Sequence, residues 1–405
     1  METGPHTPDA TSPRWTARVP RDPEDDYGPP IVQRRREHCE RAAGRPLPHL
    51  AGEPVPAAEA RGKVENFVGH AQVPLGIAGP LQLDSSDGPL SVYVPLATTE
   101  GAMVASYSRG MRLLAAGGGA RARVVREGLS QHPMLVYAGA AEAQAAAAAA
   151  RAAADEFRRI TAGITSHGRL VSVEPEVVGR RLVLRLVFTT GDAIGINMAA
   201  RAADLCSAAL AERTGAVERY VHGEDVEKRA NARALIEGRG RSTVAEAVIP
   251  RGALAELTRT TPEAMVRIGR SYAAGFARLG TQNTLVQAAN GLAAALIACG
   301  QDAAYVTECA TGSLELDHTP AGDLYACAWL PSLLVGTVGG GSGQGTAREC
   351  LDLLGCRGPG SANRLAEILA ATVLAGDLSL MAAFCAHEFV AAHEKLGRNR
   401  PEETP

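Results

Sequence analysis

From residue 134 to 220 the sequence alternates short apolar runs with helical ones, and that rhythm limits the possible folds more than any other feature of the chain. A strand opens the stretch. "AEAQAAAAAARAAADEFRRI" follows, helical by its alanine content, and "LVSVEPEVVGRRLVLRLVFTT" reads as a pair of strands. "GDAIGINMAARAADLCSAALAERTG" then turns through a glycine-bearing bend into a second helix. Strands and helices in that order make an α+β unit of about 85 residues, the size of a small domain set into a larger one.

The rest of the chain flanks this unit. At 405 residues, 46% hydrophobic and 21% charged, it is globular and long enough for two domains. The insert is placed at 133–220 and the large domain at 51–132 and 221–396, with a disordered leader at 1–50 and a polar tail at 397–405. A short helix is expected from Ile31 to about Arg45, and a long Ala/Leu-rich helix from about Ala362 to Lys395. "SVYVPLATTEGAMVASYSRGMRLLAAGG" reads as a strand, a Thr-Thr cap and a helix closed by glycines. The net charge of -3, with no long basic run, sets nucleic acid and anionic membrane surfaces aside. No run of about 18 apolar residues is found, so no membrane span is expected. The leader lacks the apolar core of a secretory signal. The eight cysteines show neither CxxC pairs nor partnered histidines, which supports no disulfide framework or zinc site and fits a reducing, cytoplasmic setting.

Against that background one residue type is conspicuously scarce. Of 41 Lys plus Arg, only Lys63, Lys228 and Lys395 are lysines. An ammonium is a compact charge whose pKa moves readily on burial, whereas guanidinium is a rigid fork. Lys228 therefore marks either a survivor of composition bias or a place that requires an ammonium. Other motifs are equally two-sided. "GDAIGINM" could bring backbone close to a phosphate at a helix start or be a plain strand-to-helix turn. "GTVGGGSGQG" could be a phosphate cradle or a turn. Glu100 reads as a dipole-compensating charge just inside a helix start, and Asp302 as an N-cap.

Taken together, "ENFVGHAQVPLGIAGPL", "ATTEGAMVAS", "GDAIGINM", "IEGRGRSTVAEAVIP", "ACGQDAA", "PSLLVGTVGGG" and "LAGDLSLMAA" resemble, in order and rough spacing, the motifs of the HMG-CoA reductase family over about residues 60 to 396. The resemblance implies an α+β fold with a large, mainly helical acyl-CoA-binding domain built on a long central helix. It implies an inserted ferredoxin-like small domain for NADPH, with NADH the alternative, and a homodimer or higher homo-oligomer. The implied chemistry is two hydride transfers, from thioester to aldehyde to alcohol. By position, Glu100, Lys228, Asp302 and His393 match the catalytic residues, with Asp302 coupled to both Glu100 and Lys228. Asp192, Ala193, Gly195, Asn197 and Met198 fall in the dinucleotide motif. Glu65 and Asn66 open the motif on the CoA side, and Ser106, Arg109 and Asn290 match positions near the substrate.

The sequence also departs from the family. Gln131 stands where many members place an arginine for the distal HMG carboxylate, and Val221 where a serine assists. Arg229 replaces a second lysine, Arg270 or Tyr272 occupies a further basic position, Gln287 replaces a histidine, and Glu388 replaces another beside His387. Changes on the substrate side with the hydride-side residues retained suggest altered acyl specificity, for a CoA- or carrier-bound thioester lacking that carboxylate. An orthodox HMG-CoA reductase and a catalytically silent binding module are the alternatives.

Overall fold

A computed structural model describes residues 16–387 of the chain apart from Asp225 and Gln282. In chain order, α1 (Pro29–Ala43) and α2 (Pro48–Ala51) lead into β1 (Leu75–Ser85), β2 (Gly88–Ala97), α3 (Met103–Ala116) and β3 (Ala120–Gln131). Then come β4 (Met134–Val136), α4 (Ala140–Ala152), α5 (Ala154–Ala162), β5 (Arg169–Val178), β6 (Arg181–Thr189), α6 (Ile196–Thr214) and β7 (Glu218–Tyr220). The C-terminal part holds α7 (Ala232–Glu237), β8 (Gly240–Ile249), α8 (Arg251–Thr258), α9 (Pro262–Leu279), α10 (Ala288–Ala298) and α11 (Val306–Cys309). It ends in β9 (Ser313–His318), β10 (Leu324–Leu333), α12 (Gly345–Leu353) and α13 (Ser361–Cys385).

The expected α+β insert is there. Its strands run in the spatial order β7, β4, β6, β5, with α4, α5 and α6 packed on them, which is the βαββαβ ferredoxin-like arrangement. Alanine lets α4 approach closely: Ala143, Ala146, Ala147 and Ala150 form its buried face. The insert is not a separate sheet. β3 pairs with β8 along most of its length and then, from Leu129 to Gln131, with β6, so one strand runs from the large sheet into the small one.

Helix α13 organises the large part. Its residues are apolar nearly all round, the signature of a fully buried helix, and it packs on α3, α9, α10 and strands β3, β8 and β10. By length and composition α13 passes as apolar enough to cross a membrane, with a mean hydropathy of 1.9, although Glu367 and Asp377 break any continuous apolar run. Its 83% burial explains that composition as core. It also ends at Cys385, earlier than Lys395.

Two further expectations change. The helix expected from Ile31 to about Arg45 is α1, but the leader assigned to 1–50 is not disordered from residue 29 on: α1 and α2 pack against α12, Ile31, Cys39 and Leu47 are buried, and the Tyr93 hydroxyl donates to the Ala17 carbonyl. The Thr-Thr pair does not cap α3: the helix begins only after Ala102, whose backbone is left-handed, and Glu100 precedes it in the turn. The Thr98 hydroxyl instead accepts the N–H of Glu100.

Helices α3 and α13 cross at Gly110, where an added methyl would overlap the Ala375 carbonyl. Gly110→Ala is therefore expected to destabilise the fold by about 3 kcal/mol, the upper range for overpacking, in urea-unfolding measurements.

Candidate active site

Lys228 lies in the loop between β7 and α7 with φ +57°, a left-handed backbone that costs a non-glycine residue about 1–2 kcal/mol. Its N–H donates to Glu308 Oε1 at 2.6 Å. Glu308, fully buried, is gripped by the Arg239 guanidinium at 3.0 Å, and Arg239 also reaches the Ser130 carbonyl and, at 3.2 Å, Glu227 Oε1. Burial pushes the Glu308 carboxyl up, against the pull of Arg239 and the Lys228 N–H. The Lys228 ammonium meets Asp302 Oδ2 at 2.7 Å and lies 5.1 Å from the centre of the Tyr305 ring. Asp302 also caps the short 3-10 turn that follows it, accepting the Ala304 N–H, so its structural and functional readings coexist. Burial raises the Asp302 carboxyl, but the bonds from Lys228 and Ala304 outweigh it and leave it below the usual range.

A second cluster surrounds Glu100. Asn290, in the first turn of α10, donates to both its carboxylate oxygens at 3.1 and 3.0 Å. The start of α10 is fixed from beneath: Asp377 of α13 accepts the N–H groups of Val286 and Gln287, and the Tyr107 hydroxyl donates to the Gln287 carbonyl at 2.6 Å. Gln287 is thus a buried anchor whose side chain accepts from Ser106. Ser106 also bonds Ser379, and Arg109 reaches the hydroxyl and carbonyl of the same Ser379.

The dinucleotide motif forms the third cluster. Gly195, with φ +82°, sits tight against Thr190, where a side chain would clash. α6 starts directly after it with exposed Asn197, half-buried Met198 and no side-chain cap, which leaves a 19-residue helix dipole open to an anion. Asp192 of this motif has a structural task within the chain. Its carboxylate accepts the N–H groups of Gly360 and Ala362 and so caps α13, while Ala193 bridges to Val338. The loop at 336–341 meets the motif backbone to backbone: a Cβ on Gly336 would lie 2.6 Å from the Ile194 nitrogen. Arg241 joins these segments through the carbonyls of Gly191 and Val335 and the side chain of Asn363.

Several expected contacts are not made. Glu100 and the Lys228–Asp302 pair do not converge. Among the described residues no hydrogen bond or ion pair joins them: Asn290 holds Glu100 near the start of α10, and Asp302 follows the helix beyond its end. Among the described residues the ion pair of Asp302 is with Lys228. Gln131 is buried and donates to Glu227 at 3.3 Å, so its side chain supports the lysine loop. Tyr272 stacks on Phe384, leaving Arg270 as the exposed residue of the two. Arg229 is exposed beside Lys228, and Glu65 is exposed in a loop where Asn66 has φ +52°. His393 and Glu388 lie outside the described residues.

A family model described as hydroxymethylglutaryl-coenzyme A reductase matches residues 31–398. The chain belongs to this family. The 3-hydroxy-3-methylglutaryl-coenzyme A reductase of Methanothermobacter thermautotrophicus is 38% identical over 371 residues, covering 91% of this chain and 93% of the relative. That of Halobacterium salinarum is 41% identical over 344 residues, covering 83% and 84%. A solved class II reductase from Streptococcus pneumoniae, described as bound to NADPH in open conformations, superposes with a TM-score of 0.72 at 20% identity, over 87% of this chain and 96% of that one, and shows the shared fold. The chain is thus an oxidoreductase of the HMG-CoA reductase type.

The motif matches did not single out Arg239, Glu308, Ser379 or Asp377 for a role. For Asp377 and Ser379 the signal is a polar residue inside an otherwise apolar run, "LAGDLSLMAA", whereas Arg239 in "IEGRGRST" carries no such signal. Burial raises the Asp377 carboxyl to about 7, although the Val286 and Gln287 N–H groups oppose the shift. Between the ordinary carboxylate range and about pH 7 only the unfolded chain has released this proton, so rising pH favours unfolding. Asp377→Asn is expected to gain stability relative to the unsubstituted protein as pH rises from about 4 to about 7, read from urea midpoints.

Proposed function

We propose that this reductase converts HMG-CoA to mevalonate with NADPH, and that it acts as a cytoplasmic homodimer. The observation that carries the reading is the left-handed Lys228 held against Asp302 within a chain of this family. Two reduced nicotinamides and two protons turn the thioester into an alcohol and a free thiol. When bound, the nicotinamide supplies the hydride at each stage. The uncapped start of α6 and the close backbone at Gly195 suit its phosphates, and the exposed Ser166, His167 and Arg169 border the motif.

The ammonium of Lys228 meets the negative charge that develops on the carbonyl oxygen as the carbon is reduced, and Asp302 keeps it charged and aimed. Glu100, oriented by Asn290, gives the proton in the aldehyde step. His393 protonates the departing thiolate. Because Glu100 and Lys228 sit at opposite ends of α10, one reacting carbonyl meets both only where two copies adjoin, Glu100 from one and Lys228 with Asp302 from the other.

The altered-specificity reading has one observation in its favour. Gln131, which replaces a carboxylate-binding arginine, is turned inward to Glu227 and offers no charge to the acyl tail. Product analysis decides between the two. With HMG-CoA and NADPH the expected product is mevalonate, and Lys228→Met is expected to lower kcat by at least about 100-fold while nucleotide still binds. Reduction of acyl-CoA lacking the carboxylate, in preference to HMG-CoA, would establish the second reading; turnover unchanged in Lys228→Met would overturn both. Mixing inactive Glu100→Gln and Lys228→Met chains is expected to restore about a quarter of the activity, since half the dimers are mixed and each has one intact site. No recovery would place the site within one chain.

A further inference from the structure

The lysine loop is exposed, yet its key residue holds a backbone conformation that an unsupported lysine would leave. What opposes this is buried. Glu308 receives the Lys228 N–H on Oε1, and Arg239 clamps both its oxygens at 3.1 and 3.0 Å, so the carboxylate cannot turn away. Arg239 is itself fixed on three further sides: its Nε donates to the Ser130 carbonyl, its N–H to Ser332 Oγ, and its far nitrogen to Glu227, the residue just before Lys228. Gln131 steadies Glu227 from β3. The ammonium therefore reaches Asp302 from a loop held at two consecutive residues, through the side chain of Glu227 and the backbone N–H of Lys228.

We propose that Glu308, locked by Arg239, is the positioning residue that holds Lys228 in its left-handed conformation and aims its ammonium at Asp302. The inference rests on the reading of Lys228 as catalytic, but its test does not use turnover. The chain has only three lysines, so protein grown with lysine labelled with 13C at the ε carbon gives three side-chain signals, and Lys228→Met assigns one of them. The Tyr305 ring, 5.1 Å from the ammonium, shifts the Lys228 signal away from those of Lys63 and Lys395.

Two double variants remove the Arg239–Glu308 pair together, so the fully buried carboxylate is not left without its guanidinium, while Glu227, 21% exposed, keeps its bond from Gln131. Arg239→Met with Glu308→Gln keeps an oxygen for the Lys228 N–H and is expected to keep the shift. Arg239→Met with Glu308→Leu keeps none and is expected to lose it, with Lys228 joining the other two signals. Loss in both pairs, or retention in both, overturns the proposal. Amide exchange on the unsubstituted protein adds a test that needs no variant: the Lys228 N–H is expected to exchange at least about 100-fold more slowly than its intrinsic rate. Exchange at the intrinsic rate overturns the proposal, and this measurement decides alone if the leucine pair does not fold. If the shifts follow the expectation while HMG-CoA is not reduced, the positioning role stands and the catalytic reading falls.

Discussion

The structure depends on the close crossing of α13 with α3. A helix apolar on every face has no preferred side to bury, so its position must come from contacts that allow only one depth and register. Gly110 supplies that contact by letting the backbones touch at Ala375. Polar groups then attach the functional segments to the buried helix. Asp377 carries the start of α10 and with it Asn290 and Glu100, Ser379 carries Arg109 and Ser106, and the first turn of α13 is capped by Asp192 from the dinucleotide motif. The glutamate and dinucleotide clusters are therefore referred to one rigid core element, with the lysine loop secured separately through Glu308.

Backbone strain falls where the chemistry is expected. Five non-glycine residues among those described have positive φ, and three of them, Asn66, Ala102 and Lys228, lie in or beside the CoA-side, glutamate and lysine motifs. Such conformations persist only where the surroundings over-determine them. For Lys228 those surroundings are identifiable as a buried carboxylate and the guanidinium that restrains it.

Local pattern made much of the fold legible. The alternation from 134 to 220 yielded the α+β insert, because the period of each segment matched the element it forms, while its ferredoxin-like order was implied by the family resemblance alone. The Thr-Thr pair misled because an N-cap is chosen by the path of the chain: Glu100 is needed in a turn, and the helix could begin only after Ala102 took a left-handed step. The leader was misjudged for a related reason. Its few apolar residues, Ile31, Cys39 and Leu47, find burial only in the tertiary structure. At the site, residue identities were readable and partners were not. Nothing local in Gln131 tells that it turns to Glu227, or in Asp192 that it serves a helix 170 residues later. Those pairings are non-local and are set by how the sheets and α13 stack.

The continuity of β3 bears on how the small unit can move. Joined by a loose linker, two bodies swing freely; joined by a strand that is laddered to both, they share one elastic beam. The rungs from Leu129 to Gln131 tie that beam to the insert, and those from Arg121 to Gly128 tie it to the large sheet. Gly128 stands where one set of rungs gives way to the other, and a Cβ there would lie 2.8 Å from a Val187 methyl. Flexing at that junction is restrained a second time where Asp192 grips the first turn of α13, so the start of α6 is kept in step with the core helix as well as with the strand.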